Sequence, residues 1–225
     1  MAGWVRNWLG RSALARRLDL GRRAWMRAMR PFANELGIVE LPAYPLLAAR
    51  HLANCDLYPL REDLLRAMPR SANVAELGVQ HGDFSQKILD ICGPEKLHLI
   101  DVDLGHVVRS GRFASEIASG RVQLHEADSA TTIESFPDGH FDFIYIDADH
   151  SYDGVRRDIA AAHPKVAADG YLLFNDYTFW SSAECMPYGV IHAVNEFCLA
   201  ENWEVTAFAL GHLGYSDVAI RRIRE

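Results

Sequence analysis

The stretch 73-NVAELGVQHGDFSQKILDICGPEKLHLIDVD-103 holds a complete strand–helix–strand unit. Two short apolar runs, 73-NVAELGV-79 and 97-LHLIDVD-103, enclose a segment from about Asp83 to Ile91 with helical spacing. Neither run alternates cleanly between apolar and polar residues. That suits strands buried on both faces, and hence a parallel sheet. Right-handed crossovers then place helices on both sides of it.

The same texture continues downstream. A helix is predicted over roughly 105–118, a strand at 121-RVQLHEAD-128 and another at 141-FDFIYIDAD-149. A helix near 153–167 and the strand 170-GYLLFND-176 follow. The last two runs, 203-WEVTAFALG-211 and 217-DVAIRRI-223, are joined by a glycine-containing segment and read as an antiparallel hairpin. The expected class is α/β: a doubly wound, mostly parallel seven-stranded sheet with a C-terminal antiparallel hairpin. Upstream, Pro42 and Pro45 interrupt the chain before helical patterning at 46–55 and 60–68. This divides the chain into an N-terminal helical arm and cap, 1–70, and a main domain, 71–225.

Composition narrows the function. With 49% hydrophobic and 24% charged residues the chain can fill a core, and no apolar window is long enough to span a membrane. Cys55, Cys92, Cys185 and Cys198 are scattered without a C-x-x-C pair. This disfavours a zinc knuckle or disulfide framework and fits a reducing, cytoplasmic setting. Residues 1–30 carry eight arginines and one acid, so the remainder of this −7 chain is strongly acidic. A body of that charge repels nucleic acid phosphates.

The arm reads as short amphipathic helices broken at Gly10 and Gly21, with Trp4 and Trp8, and Val5 and Leu9, paired on helical faces. Three readings of it stay open: packing on its own acidic body or a second subunit, peripheral contact with an anionic membrane, and an organelle address. A homo-oligomer is expected. No secretory signal is expected, because no compact apolar region with a small-residue cleavage site follows the arginines.

Ligands of an open α/β sheet bind beyond the carboxyl ends of the strands. Here every predicted parallel strand delivers acid to that edge: Glu76 with the turn 76-ELGVQHGDFS-85, then Asp101 and Asp103, Asp128, Asp147 with Asp149 and His150, and Asn175–Asp176. Gln80 and Asp83 stand where a dinucleotide fingerprint needs glycine, which argues against NAD. What remains is Glu76, Gly78 and Gly82 around a turn, with Ser85 opening the helix. Asp101 suits a ribose diol. Asp128 and Ser129 suit an adenine amino group, or cap a turn. The ligand implied is an adenosine without phosphates but with a cationic tail, as in S-adenosylmethionine.

These residues resemble a class I S-adenosylmethionine-dependent methyltransferase from about Asn73 to the hairpin. Within that class, 146-IDADHSYDGVRRDI-159 followed by 170-GYLLFNDY-177 is similar to the metal-dependent O-methyltransferases, most of all the macrocin O-methyltransferase type that methylates sugar hydroxyls. The resemblance implies that Asp147, Asn175 and Asp176 hold a divalent cation such as Mg²⁺, with His150 as general base. Asn175 departs from the acid or histidine that the sugar-modifying relatives more often have. The expected substrate is a hydroxyl of a sugar or glycosylated small molecule. The runners-up are a catechol-like phenol and a same-fold module that binds the cofactor without methylating. Chemistry agrees with the first: an alcohol is a poor nucleophile until its proton is withdrawn.

Secondary candidates complete the reading. Asp149 is left unassigned, Tyr152 is expected to pack beside the site, and His81 either touches the methionine end of the cofactor or faces solvent. His98 is read as structural. Tyr177, Phe179 and Trp180 sit where an acceptor would lie, and 181–189 and the helices before residue 70 are read as parts of a lid.

Overall fold

The computed structural model describes residues 17, 19–28, 44–211 and 214–224. The chain divides into two compact units, Met1–Tyr44 and Pro45–Glu225.

In the first unit, residues 19–28 form a helix that continues through Gly21, so the expected break there is absent. The Asp19 carboxylate accepts from Arg22 at 2.9 Å and Arg23 at 2.8 Å, three and four residues on along the helix. The Gly10 break and the paired faces at Trp4–Trp8 and Val5–Leu9 lie outside the described residues.

The second unit is built on an eight-stranded sheet. Its strands are β1 (Asp56–Tyr58), β2 (Asn73–Leu77), β3 (Lys96–Asp101), β4 (Val122–Glu126), β5 (Phe141–Ile146), β6 (Val166–Phe174), β9 (Trp203–Leu210) and β10 (Ser216–Arg222). β7 (Trp180–Ser181) and β8 (Met186–Pro187) form a separate antiparallel pair. The helices are α1 (Arg61–Arg66), α2 (Asp83–Cys92), α3 (Gly105–Ser110), α4 (Ala114–Ala118), α5 (Ser129–Glu134), α6 (Tyr152–Ala162) and α7 (Val190–Glu201).

The sheet order is β1-β9-β10-β6-β5-β2-β3-β4. The chain winds outward from β2 through β3 to β4, then returns to the other side of β2 with β5 and β6. All of these pair in parallel, whereas β10 runs antiparallel to both β6 and β9. The central strands β2 and β5 are largely apolar because the sheet buries both of their faces. Ala75, Leu77, Ile144 and Ile146 point into a core shared with α5, α6 and α7. Val74, Phe143 and Tyr145 point into a second core with α1, α2 and α3. Successive residues alternate between the two, as a strand requires.

The expected α/β architecture is therefore present, with local differences. Residues 46–55 hold only one 3₁₀ turn, Ala49–His51. β1 adds an eighth strand, parallel to β9, and Leu64 and Leu65 of α1 are fully buried beneath the sheet. Residues 45–70 consequently fold with the main unit rather than with the arm. The predicted helix at 105–118 is two helices, parted where Gly111 takes a left-handed φ of 64°. α7 was not anticipated. It has no side-chain cap, opening after Gly189, and lacks the usual start signal.

Candidate active site

The strand order reverses between β2 and β5, and the carboxyl ends of those strands open into a cavity of about 730 Å³. That size suits a small-molecule site. Two close approaches shape it. Gly78 has φ +86°, and a Cβ there would overlap the backbone carbonyl of Asp147. The Asp147 amide in turn donates to the Leu77 carbonyl at 2.7 Å. The turn after β2 is thereby held against the end of β5.

Of the residues expected to hold the cofactor, Glu76, Gly78, Asp101, Asp128 and Ser129 line this cavity, and Gly82 and Ser85 do not. Gly82 is needed for packing: its φ is +75°, and a Cβ there would press on the Phe113 ring. Ser85 is fully buried and donates its hydroxyl to Glu76 Oε2. Asp101 Oδ2 accepts from the amides of Val79 and Gln80 at 2.7 and 2.9 Å, and Oδ1 from Asp103 at 3.0 Å. Burial works against its charge, but these amides outweigh that and lower its pKa. The turn is thus braced by the same carboxylate that faces the cavity. Asp128 caps α5 through Thr131 and pairs with Arg157 at 2.9 Å. Ser129 donates to the buried Asp158 at 2.7 Å.

At the other end of the cavity, His150 Nε2 stands 3.4 Å from Asp147 Oδ1 and 3.9 Å from Asp176 Oδ2. These are ion-pair separations, and Nε2 makes no hydrogen bond among the described residues. Burial opposes a charge on the ring, yet Asp147, then Asp176 and Glu184, more than offset it and raise its pKa. Asp176 is itself raised to about 6, first by burial and then by Asp147, against the pull of His150. The imidazole lies flat on Tyr188, with centroids 4.5 Å apart and planes 6° from parallel.

Of the expected cation ligands, Asp147 and Asp176 both face His150. Asn175 turns inward, its amide donating to Tyr145 Oη at 3.0 Å and Asp217 Oδ1 at 3.3 Å. His150 Nε2 sits between the two remaining carboxylates. Among the described residues no group of three His, Cys, Asp or Glu side chains is arranged to hold a metal ion.

Several smaller expectations are also decided. Asp149 Oδ1 accepts from Ser151 N at 2.8 Å and shapes the start of α6. Tyr152 bonds Glu196 outside the cavity. His81 lines the cavity beside His106, with ring centroids 4.5 Å apart. His98 is buried in β3. Tyr177, Phe179 and Trp180 are absent from the cavity wall, and Tyr177 bonds Asn195 at 2.6 Å. Three wall or support residues were not anticipated individually: Arg61 on α1, Glu184 between β7 and β8, and Tyr188 after β8. No local motif marks them, because they reach the site only through tertiary packing.

Residues 75–177 match the model of a methyltransferase domain. The fold is the Rossmann-like fold of class I methyltransferases. A protein from Corynebacterium glutamicum shares it with a TM-score of 0.55 at 16% identity, over 90% of this chain and 91% of the other. A ribosomal protein L11 methylase from Lactobacillus delbrueckii subsp. bulgaricus does so with 0.53 at 15%, over 81% and 83%. A tRNA methyltransferase from B. subtilis gives 0.54 at 12%, over 73% and 66%. No curated protein sequence matches the chain at a significant level. The domain match and the methyltransferase fold together support methyl transfer dependent on S-adenosylmethionine. No helix among the described residues is long and apolar enough to cross a membrane.

Proposed function

We propose that this methyltransferase-fold chain transfers a methyl group from S-adenosylmethionine to a hydroxyl of a sugar or glycosylated small molecule. The observation that carries the reading is His150, with Nε2 directed between Asp147 and Asp176 in the cavity that also contains Glu76, Gly78 and Asp101. The adenosine lies toward Asp101, Asp128 and Ser129, and the sulfonium toward the ends of β2 and β5. The acceptor oxygen attacks the methyl carbon in line with the C–S bond. That bond breaks, its electron pair stays on sulfur, and the hydroxyl proton passes to the His150 imidazole. The two carboxylates stabilise the imidazolium that forms, and holding both reactants in one cavity supplies much of the remaining acceleration.

Charge argues against a polyanionic acceptor. Eight carboxylates line the cavity with only two arginines, Arg61 and Arg157, so a nucleic acid strand is repelled at the site. The sugar acceptor rests on the resemblance of 146–159 and 170–177 to sugar O-methyltransferases. A divalent cation is not part of this reading, which rests on His150 with Asp147 and Asp176.

Calorimetric titration of S-adenosylhomocysteine, followed by methyl-transfer assays on a panel of sugar and phenol hydroxyls, tests the proposal. Micromolar binding and turnover on a glycosylated acceptor are expected. Binding without transfer to any hydroxyl would leave a cofactor-binding module, and no binding would end the methyltransferase reading.

A further inference from the structure

Arg61 stands apart from the other arginine of the cavity wall. Arg157 is paired with Asp128, whereas Arg61 forms no ion pair within 4.0 Å among the described residues. It is the first residue of α1, outside the segment that matches the methyltransferase domain. The guanidinium lies 4.4 Å over the Phe84 ring, which packs in turn on Tyr145 at 4.2 Å between centroids. It is held by that stacking contact and by Tyr145, and the acids that act on its charge, Asp217 and Asp147, stay beyond ion-pair distance.

The charges of the cofactor sort onto that wall. S-adenosylmethionine carries three charged groups: a sulfonium, an α-ammonium and an α-carboxylate. The two cations are matched by the acids of that wall, Asp147 at the end of β5 first among them. The carboxylate is repelled by those same acids and needs a cation. The adenosine end has Arg157, already neutralised by Asp128, so the methionine end has Arg61 alone.

We infer that Arg61 binds the α-carboxylate of the cofactor's amino-acid tail. The assignment rests on the cofactor reading above and extends it to a residue outside the matched domain. A guanidinium presents two parallel donors to a carboxylate, and its planar face remains free to stack on Phe84. Cofactor recognition would then be shared between the turn after β2 and a helix that precedes the sheet.

A ligand comparison in the full chain tests this. Binding of S-adenosylhomocysteine is measured beside its decarboxylated analogue, which keeps the adenosine, thioether and amine but lacks the carboxylate. Arg61→Ala is expected to weaken S-adenosylhomocysteine by about 10- to 100-fold and to leave the analogue unchanged. Arg61→Lys, which keeps the charge without the fork, should fall between, and a thermal melt of each variant reports whether it folds. Equal changes for both ligands, zero included, would overturn the assignment and leave Arg61 as a counter-charge to the acids. Because the unmodified protein is titrated with both ligands, the cofactor reading is judged separately. If it binds neither, that reading falls and the Arg61 assignment with it.

Discussion

A side chain on Gly78 would collide with the backbone carbonyl of Asp147. The two residues end adjacent parallel strands, β2 and β5, whose register pairs Leu77 with Ile146. The missing Cβ therefore lets the turn after β2 and Asp147 share one wall of the cavity. Gly78→Ala should cost about 1–3 kcal/mol in stability through left-handed strain and the clash, and cofactor affinity should fall with it. A thermal melt and a calorimetric titration check this; an alanine variant with unchanged affinity would show that the turn tolerates displacement.

In the proposed mechanism His150 carries the proton transfer. His150→Ala should lower kcat by roughly 10²–10⁴ while cofactor binding persists. The ring must be neutral to accept a proton, so activity should rise with pH through its raised pKa. Asp147→Asn removes the first of the charges that hold this pKa up, and the acid limb should move to lower pH. A pH profile with no limb in the histidine range would move the role elsewhere.

Tyr188 sets the plane of the His150 ring and donates its own hydroxyl to Glu184 at 2.8 Å. Tyr188→Ala should reduce kcat on the order of 10-fold by loosening the imidazole. Tyr188→Phe keeps the stack and should stay near the parent rate. Equal loss in both variants would assign the effect to the hydroxyl.

Glu76 and Asp217 are buried carboxyls raised, chiefly by burial, to about 8 and about 7 from ordinary values of 4.5 and 3.8. In that window the folded chain holds protons that the unfolded chain has released. Their contribution to stability thus falls as pH rises from about 4 to about 8. Glu76→Gln and Asp217→Asn remove this dependence, so each variant should gain on the parent as pH increases. Denaturant melts across the range measure it; parallel curves would mean the carboxyls are ionised in the fold.

Asn175 is a structural hydrogen-bond donor in this geometry. Asn175→Ala should cost about 1–3 kcal/mol by stripping bonds from Tyr145 and Asp217, and a chelator should leave the parent's turnover unchanged. Turnover lost on chelation and restored by Mg²⁺ would return a cation to the site.

Much of this architecture was legible in local patterns. The runs around Glu76, Asp101, Asp128 and Ile146 marked parallel strands, because a strand buried on both faces must be apolar at nearly every position. Asp101, Asp128 and Asp147 were legible for the same reason, because an acid commonly follows such a strand where it leaves the core, whereas Glu76 lies within β2 and is buried. Short β1 was not legible, since three residues pairing at the sheet edge leave no periodicity, and neither was α7, which lacks a capping signal.

By itself the sequence determined the α/β class, the edge at which ligands gather and the identity of the acids and His150 there. Only the tertiary structure decided which way those side chains face. Asn175 follows β6 in a motif that implies a cation ligand, yet its amide is drawn inward by Tyr145 of β5 and Asp217 of β10. Arg61 lies 15 residues before Glu76 and reaches the cavity because Leu64 and Leu65 anchor α1 in the core. Spacing along a chain specifies the face of an element. The partners across that face come from strands and helices far away in sequence, and their packing selects the orientation.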